Sequence, residues 1–275
     1  MAIIKLIKIV LKSFLDFFRD DGLMFAGSIS YFFMMALVPF CLFIVTVFGS
    51  LFGEHREFYD FFLSKMVSFF PQVTSKITKE LENIITYRGL GKPSLIIYGL
   101  LSYQLFSSIE KAINSIFKIK VKRSIVISLI RSLLIVTSII AFFTMSFIAT
   151  SAIASLKTLQ DIFPGLRISR RTGFFLGMIV PLFIVFLTVA TQYILLPKRR
   201  VRVAHALIGG LFTAVFFEMA KHLFTFFVAK VARLGTIYGP LSAFIIFLLW
   251  VFYSSCIFLV GAEIVHNLGS LKKDR

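Results

Sequence analysis

Long apolar runs, separated by short stretches that are basic or carry glycine and proline, dominate this chain. They predict helices of the roughly 20 residues that a bilayer crossing needs. The runs cover residues 23–52, 93–117, 124–156, 172–196, 203–228 and 241–265, which predicts six transmembrane spans. Ahead of them, Lys5, Lys8, Lys12, Asp16 and Arg19 recur every three or four positions among Ile, Leu, Val and Phe. That spacing predicts an amphipathic helix over 1–21, either lying on the membrane surface with its basic stripe toward head groups or packed on the protein's own underside. Between the first two spans, residues 54–92 show one apolar face before Pro71 (Phe58, Phe62, Met66, Phe69) and another after it (Val73, Ile77, Leu81, Ile84, Ile85). Two short amphipathic helices in an outer loop account for both faces, as surface packing or as a lid. The fold class expected is therefore an all-α integral membrane protein, a single membrane domain over 1–275.

Polar residues inside these spans carry the functional signal. The fifth span, VAHALIGGLFTAVFFEMAKHLFTFFV, holds Glu218, Lys221 and His222, and charged groups near mid-bilayer cost about 2.5 to 3.5 kcal/mol each on insertion scales. Ala206, Gly210, Ala214, Glu218 and His222 follow at steps of four, so small residues that admit a second helix lead along one stripe into ionisable ones. The second span carries Gln104, Glu110 and Asn114 with several serines, and belongs inside the bundle or beside water. Tyr31 in the first span needs a partner for its hydroxyl. Arg131 lies about two turns inside the third span, where it either joins Glu110 and Glu263 in a cluster or snorkels to the head groups. Pro39 and Pro181 predict kinks in the first and fourth spans, and a loop containing Gly239 precedes the sixth. For Glu218, Lys221 and His222 two readings stand. They line a cavity in the outer half of the membrane, or Glu218 is satisfied within its own helix.

Charge sets an orientation. With 58% hydrophobic and 16% charged residues, the formal charge of +17 sits at the ends of apolar runs. Membrane topology and anionic lipid head groups explain it, and nucleic acid is not the expected partner. The connections 118–123 and 198–202 and both termini are rich in Lys and Arg, whereas Glu54, Glu57, Asp60, Glu80, Glu82 and Asp161 fall in the opposite loops. The positive-inside rule then places both termini in the cytoplasm of a bacterial inner membrane, with Arg167, Arg170 and Arg171 the one dissent. The segment 1–21 is not expected to be a cleavable signal, because Lys12, Asp16 and Arg19 interrupt any apolar core. Cys41 and Cys256 read as small hydrophobes inside apolar runs.

Enzymatic chemistry finds little support. His55, His205, His222 and His266 are scattered without metal-ligand spacing, and neither a Walker sequence nor a GxSxG elbow is present. No metal, cofactor or catalytic residue is expected.

The stretches AGSISYFFMMALVPF at 26–40, EKAINSIF at 110–117, IYG at 237–239 and WVFYSSCIFLVGAEI at 250–264 resemble the YihY/BrkB family of bacterial inner-membrane proteins, whose older name is ribonuclease BN. Tyr31, Pro39, Asn114, Tyr238, Gly239, Trp250, Gly261 and Glu263 look like positions of the family pattern. The resemblance implies six membrane helices and an envelope role, some members being connected with lipid or lipopolysaccharide export. The ribonuclease label has no chemistry in these residues to support it. The expected function is transport or flipping of a lipid or amphiphilic anion. The alternative is a membrane anchor whose outer loop docks a periplasmic protein.

Overall fold

The computed structural model describes residues 2–35, 92–119, 170–231 and 241–270. Six helices and no strand lie among them: α1 (Ala2–Arg19), α2 (Gly22–Met35), α3 (Lys92–Ile116), α4 (Arg170–Leu195), α5 (Val203–Val231) and α6 (Leu241–Ser270). Pro39, Arg131, Gly239, the third span and the segment 54–92 lie outside the described residues. The starts of the helices fall within two residues of the expected boundaries. Two ends do not: α5 continues to Val231, and α6 runs five residues past the expected 265, because the first charges of the tail come only at Lys272 and Lys273. α5 over Val203–Lys221 and α6 over Ile245–Ser270 are long and apolar enough to cross a membrane. α4 continues as a helix through Pro181.

α1 ends at Arg19, two residues short of the expected 21. Asp20 donates its amide to Asp16 O at 2.8 Å, and Asp21 then turns left-handed at φ 58°, so α1 and α2 are separate helices.

The chain forms two compact units. The first combines Met1–Leu23, Glu110–His222 and Cys256–Arg275; the second combines Met24–Ile109 and Leu223–Ser255. In the second, the hydroxyls of Ser28 and Ser108 meet at 2.9 Å and tie α2 to α3. Phe33 lies against Phe247, and Phe224 lies 4.8 Å from Trp250 between ring centroids.

Small residues hold the first unit together. The predicted stripe on α5 is buried at Ala206, Gly210 and Ala214, and a Cβ on Gly210 would stand 2.9 Å from that of Ala190. The close helix neighbour that the stripe called for is therefore α4. On the adjoining face Gly209 meets α6, where an added Cβ would come 2.9 Å from Gly261 O. Interhelix packing in lipid depends on such backbone approach, since apolar side chains gain little from leaving one oily surface for another.

Tyr193 closes this three-helix junction. Fully buried, it stacks on Phe258 with centroids 5.1 Å apart and donates its hydroxyl proton to Phe258 O at 2.6 Å. With that single proton spent, Thr213 must be the donor across the 2.8 Å contact between the two hydroxyls. Tyr193→Phe is expected to cost about 1–3 kcal/mol, since it leaves the Thr213 hydroxyl enclosed without its acceptor. A fall in thermal midpoint in lipid nanodiscs checks this; an unchanged midpoint would show that the hydroxyl holds nothing.

Candidate functional site

Ionisable side chains gather in the first unit around the C-terminal end of α3. The last turns of α3 bury Glu110, Ala112, Ile113, Asn114, Ile116 and Phe117, in keeping with the expectation that this polar helix lies inside the protein. The helix stops in a Schellman arrangement, with Ile119 N bonded to Asn114 O at 2.9 Å and Lys118 N to Ser115 O at 2.9 Å. Lys118 takes the left-handed position at φ 56°, usually reserved for glycine. A lysine there costs on the order of 1 kcal/mol in backbone strain. It also makes an ion pair with Asp20 at the end of α1.

Asn114 organises the first of two polar groups. Its Nδ2 donates to Glu110 O at 2.7 Å, while its Oδ1 accepts the backbone N–H of Lys198 at 3.0 Å. The Lys198 ammonium lies 3.5 Å from Glu110 Oε1. Glu110 thus has a cation from the basic stretch after α4. Arg131, the expected partner, is outside the described residues. Asn114 is a clamp in this arrangement, holding residue 198 to α3 by its backbone.

The second group joins α1 to α6. Asp20, just past the end of α1, follows Asp16 at the four-residue spacing that separates Glu263 and Asn267 on α6. Asn267 Nδ2 donates to Ser13 Oγ at 3.0 Å and to Asp16 Oδ2 at 2.9 Å. Ser13 and Glu263 are both fully enclosed. Neither carboxylate oxygen of Glu263 receives a donor among the described residues. The charged groups that act on it are Asp20, Lys118 and Asp16. His266 and Phe117 meet in a T-shaped arrangement, centroids 5.5 Å apart.

The remaining predicted residues sit elsewhere. Lys221 Nζ is 2.6 Å from Glu218 Oε2 at (i, i+3) spacing, and the lysine side chain is 38% exposed. The pair lies within a single helix. The side chain of His222 lies outside those described. Gln104 is exposed, and Tyr31 is 54% exposed with its ring edge-on to Phe32, so its hydroxyl does not depend on an enclosed partner. Among the described residues, no three His, Cys, Asp or Glu side chains are grouped to hold a metal ion.

Sequence reasoning missed Asp20, Asn267, Ser13 and Tyr193, and treated Lys118 and Lys198 only as topology charges. A signal was available: Asp16 and Asp20 are the sole acids at helical spacing in a basic amphipathic segment. Glu263 and Asn267 repeat that spacing in an apolar one.

The surface of α1 adds a further element. Ile9, Ser13 and Phe17 are buried, yet Ile7, Leu11, Phe14, Leu15 and Phe18 form a second apolar stripe that is more than half exposed, flanked by exposed Lys8, Lys12 and Arg19. One face of α1 is thus packed against the protein and the other is exposed. Arg199, Arg200 and Arg202 are also exposed in this unit.

Comparison with known proteins gives a consistent result. The family model described as virulence factor BrkB matches residues 13–272. A UPF0761 membrane protein of Acinetobacter baylyi is 26% identical over 91% of this chain and 59% of its own length. One of Aliivibrio fischeri is 30% identical over 90% of this chain and 78% of its own, and one of Chlorobium phaeobacteroides 30% identical over 94% and 56%. The chain thus spans little more than half the length of two of these relatives. No solved structure matches it.

Proposed function

This chain belongs to the virulence factor BrkB family, whose matched relatives are named membrane proteins, and we propose that it transports or flips a lipid or amphiphilic anion across a bacterial inner membrane. The observation that carries this reading is two ionisable groups set among apolar helices, with Glu110 and Glu263 buried. Glu110, Lys198, Asp16, Asp20, Lys118 and Glu263 lie in the same unit as an exposed basic and apolar surface. Burying several charges costs several kcal/mol per ion unless each is paired, so such an arrangement is rarely kept for stability alone. Anionic head groups would gather at Lys8, Lys12, Arg19 and Arg199 to Arg202, each basic group near such a surface being worth about 1 kcal/mol. The exposed stripe of α1 would enter the interface, adding several kcal/mol of apolar burial. In this reading the six spans have both termini in the cytoplasm, and no covalent chemistry is assigned to the chain.

One observation favours the alternative, a membrane anchor for a periplasmic partner: Glu218 has a cation, Lys221, within its own helix. Vesicle reconstitution separates the two. Labelled anionic phospholipid is expected to exchange between leaflets faster in vesicles containing the protein than in empty ones. Lys198→Gln should slow it, and Glu218→Gln should leave it nearly unchanged. Exchange no faster than in empty vesicles, with or without an ion gradient, would leave the anchor as the description of choice.

A further inference from the structure

Successive residues of a helix are turned by about 100° from one another, and α1 uses that step to sort its side chains into three rows. Ile7, Lys8 and Ile9 pass in turn through an exposed apolar row, an exposed basic row and the buried row; Leu11, Lys12 and Ser13 repeat the order one turn on. Phe14, Leu15 and Phe18 extend the apolar row, each more than half exposed, and Arg19 extends the basic one. Phe14 and Phe18 make a T-shaped contact, centroids 5.1 Å apart, which makes this end of the row continuous. The one acid within α1, Asp16, is engaged by Asn267, so the exposed charge of the helix is positive.

The buried row fixes which way the other two point. Ser13 and Asp16 both accept from the Asn267 amide, so α1 is docked on α6 and cannot roll to hide its apolar row. Leucine and phenylalanine in one row with lysine and arginine in the next fit a lipid interface, where the apolar side chains enter the acyl boundary by about 5–10 Å and the bases stay with the head groups. The surroundings carry the same sign. In the same unit the end of α3 reaches α1 through Lys118 and Asp20, and the turn after α4 reaches α3 through Lys198 and Asn114. Arg199, Arg200 and Arg202 on that turn are exposed. Cations brought together from separate elements match a broad negative surface, whereas a protein seated on α1 alone would leave these arginines unmatched.

We propose that α1 docks on an anionic lipid leaflet, taking head groups along its basic row and acyl chains along its apolar row, and that this contact holds the Asn267 anchor at head-group depth. α6, long and apolar enough to span, then leaves the hydrocarbon near Asn267, and Glu263 lies about 6 Å further in along the helix axis. The contact rests on α5 and α6 being membrane helices but not on transport. Lipid need not cross the bilayer for α1 to lie this way, and a membrane anchor would lie the same way.

Nitroxide labels at single cysteines in the full chain, with Cys41 and Cys256 changed to alanine, test this in nanodiscs of phosphatidylglycerol and phosphatidylethanolamine. Labels at Leu11 and Leu15 are expected to collide several-fold more with oxygen, which concentrates among acyl chains, than with a water-soluble nickel chelate; labels at Lys8 and Lys12 should show the reverse. In phosphatidylcholine alone, or with Lys8, Lys12 and Arg19 all changed to glutamine, the oxygen preference at Leu15 should fall several-fold. Labels at Leu11 and Leu15 as open to nickel as those at Lys8 and Lys12 would overturn the proposal. So would labels there shielded from both reagents, the sign of a protein or a second copy covering the face. A preference indifferent to lipid charge would overturn the anionic partner, and a label at Leu15 near the bilayer centre would overturn the depth. Should the cysteine-free background not fold, amide exchange of the unlabelled chain decides instead: protection across 7–19 is expected to drop several-fold in phosphatidylcholine, and equal protection in the two lipids overturns the proposal.

Discussion

Replacing Gly261 with valine is expected to destabilise the protein by about 3–5 kcal/mol, the sum of an overpacking penalty and the loss of two enclosed hydrogen bonds. A side chain at 261 has nowhere to go. Its Cβ alone would collide with Thr213 Oγ1 and the Tyr193 hydroxyl, and would stand 3.2 Å from Tyr193 Cζ. Neither neighbour can yield cheaply, because Tyr193 is pinned by its stack on Phe258 and its bond to Phe258 O. Thr213, in turn, sits on the small-residue face of α5 beside Gly209 and Gly210. Relief requires α6 to move off α5, which also opens the Gly209 approach to Gly261 O. At roughly 2–4 °C per kcal/mol for a chain of this size class, the thermal midpoint in nanodiscs should fall by about 10 °C. Gly261→Ala should do part of the same damage. Pairing it with Thr213→Ala should recover some of the loss, because one of the colliding atoms is then gone. A Gly261→Val protein that melts with the wild type would show that the junction is looser than its contacts indicate.

The second large effect is expected at Asn267. Substitution by leucine keeps the volume but removes the amide that bonds both Ser13 and Asp16. Asp16 then loses its donor in a site that already contains Asp20 and Glu263. Removing the partner of a buried charged or polar group costs about 2–4 kcal/mol, more than the bond itself contributes. The damage should be local at first. The buried stripe of α1, Ile9, Ser13 and Phe17, is what docks this helix, and Asn267 supplies its polar anchor. Amide hydrogen exchange across 2–19 should therefore accelerate several-fold in Asn267→Leu, with α4 and α5 little affected. Ser13→Ala, which removes one of the two bonds and leaves Asp16 partnered, should give a milder version. Equal exchange protection of α1 in wild type and Asn267→Leu would mean that apolar contacts alone hold the helix.

These expectations mark where pattern and partner part company. The amphipathic segment, the polar character of α3 and the small-residue stripe of α5 were all legible from spacing. Each follows from a rule internal to one helix: side chains three or four apart share a face, and glycine or alanine admits a neighbour. The polar residues were legible as anomalies too. Glu110, Asn114 and Glu263 are conspicuous in apolar runs, and all three prove to be buried. Their partners were not legible. Lys198 reaches Glu110 only because the chain after α4 passes Asn114, and Lys118 reaches Asp20 only because α3 ends left-handed.

The amino-acid sequence by itself determined that this is a helical protein with apolar spans. Runs of that length and oiliness can satisfy their backbone amides in lipid only by bonding within the helix. It also determined the rows of small and polar residues, because helical period is a local property. Tertiary structure alone decided which helix fills the Gly210 face, which cations answer Glu110 and Asp20, and that Glu263 receives no donor among the described residues. Those outcomes depend on contacts between residues as far apart as Asp16 and Asn267. Helix packing brings such residues together, and the periodicity of a single segment carries no information about it.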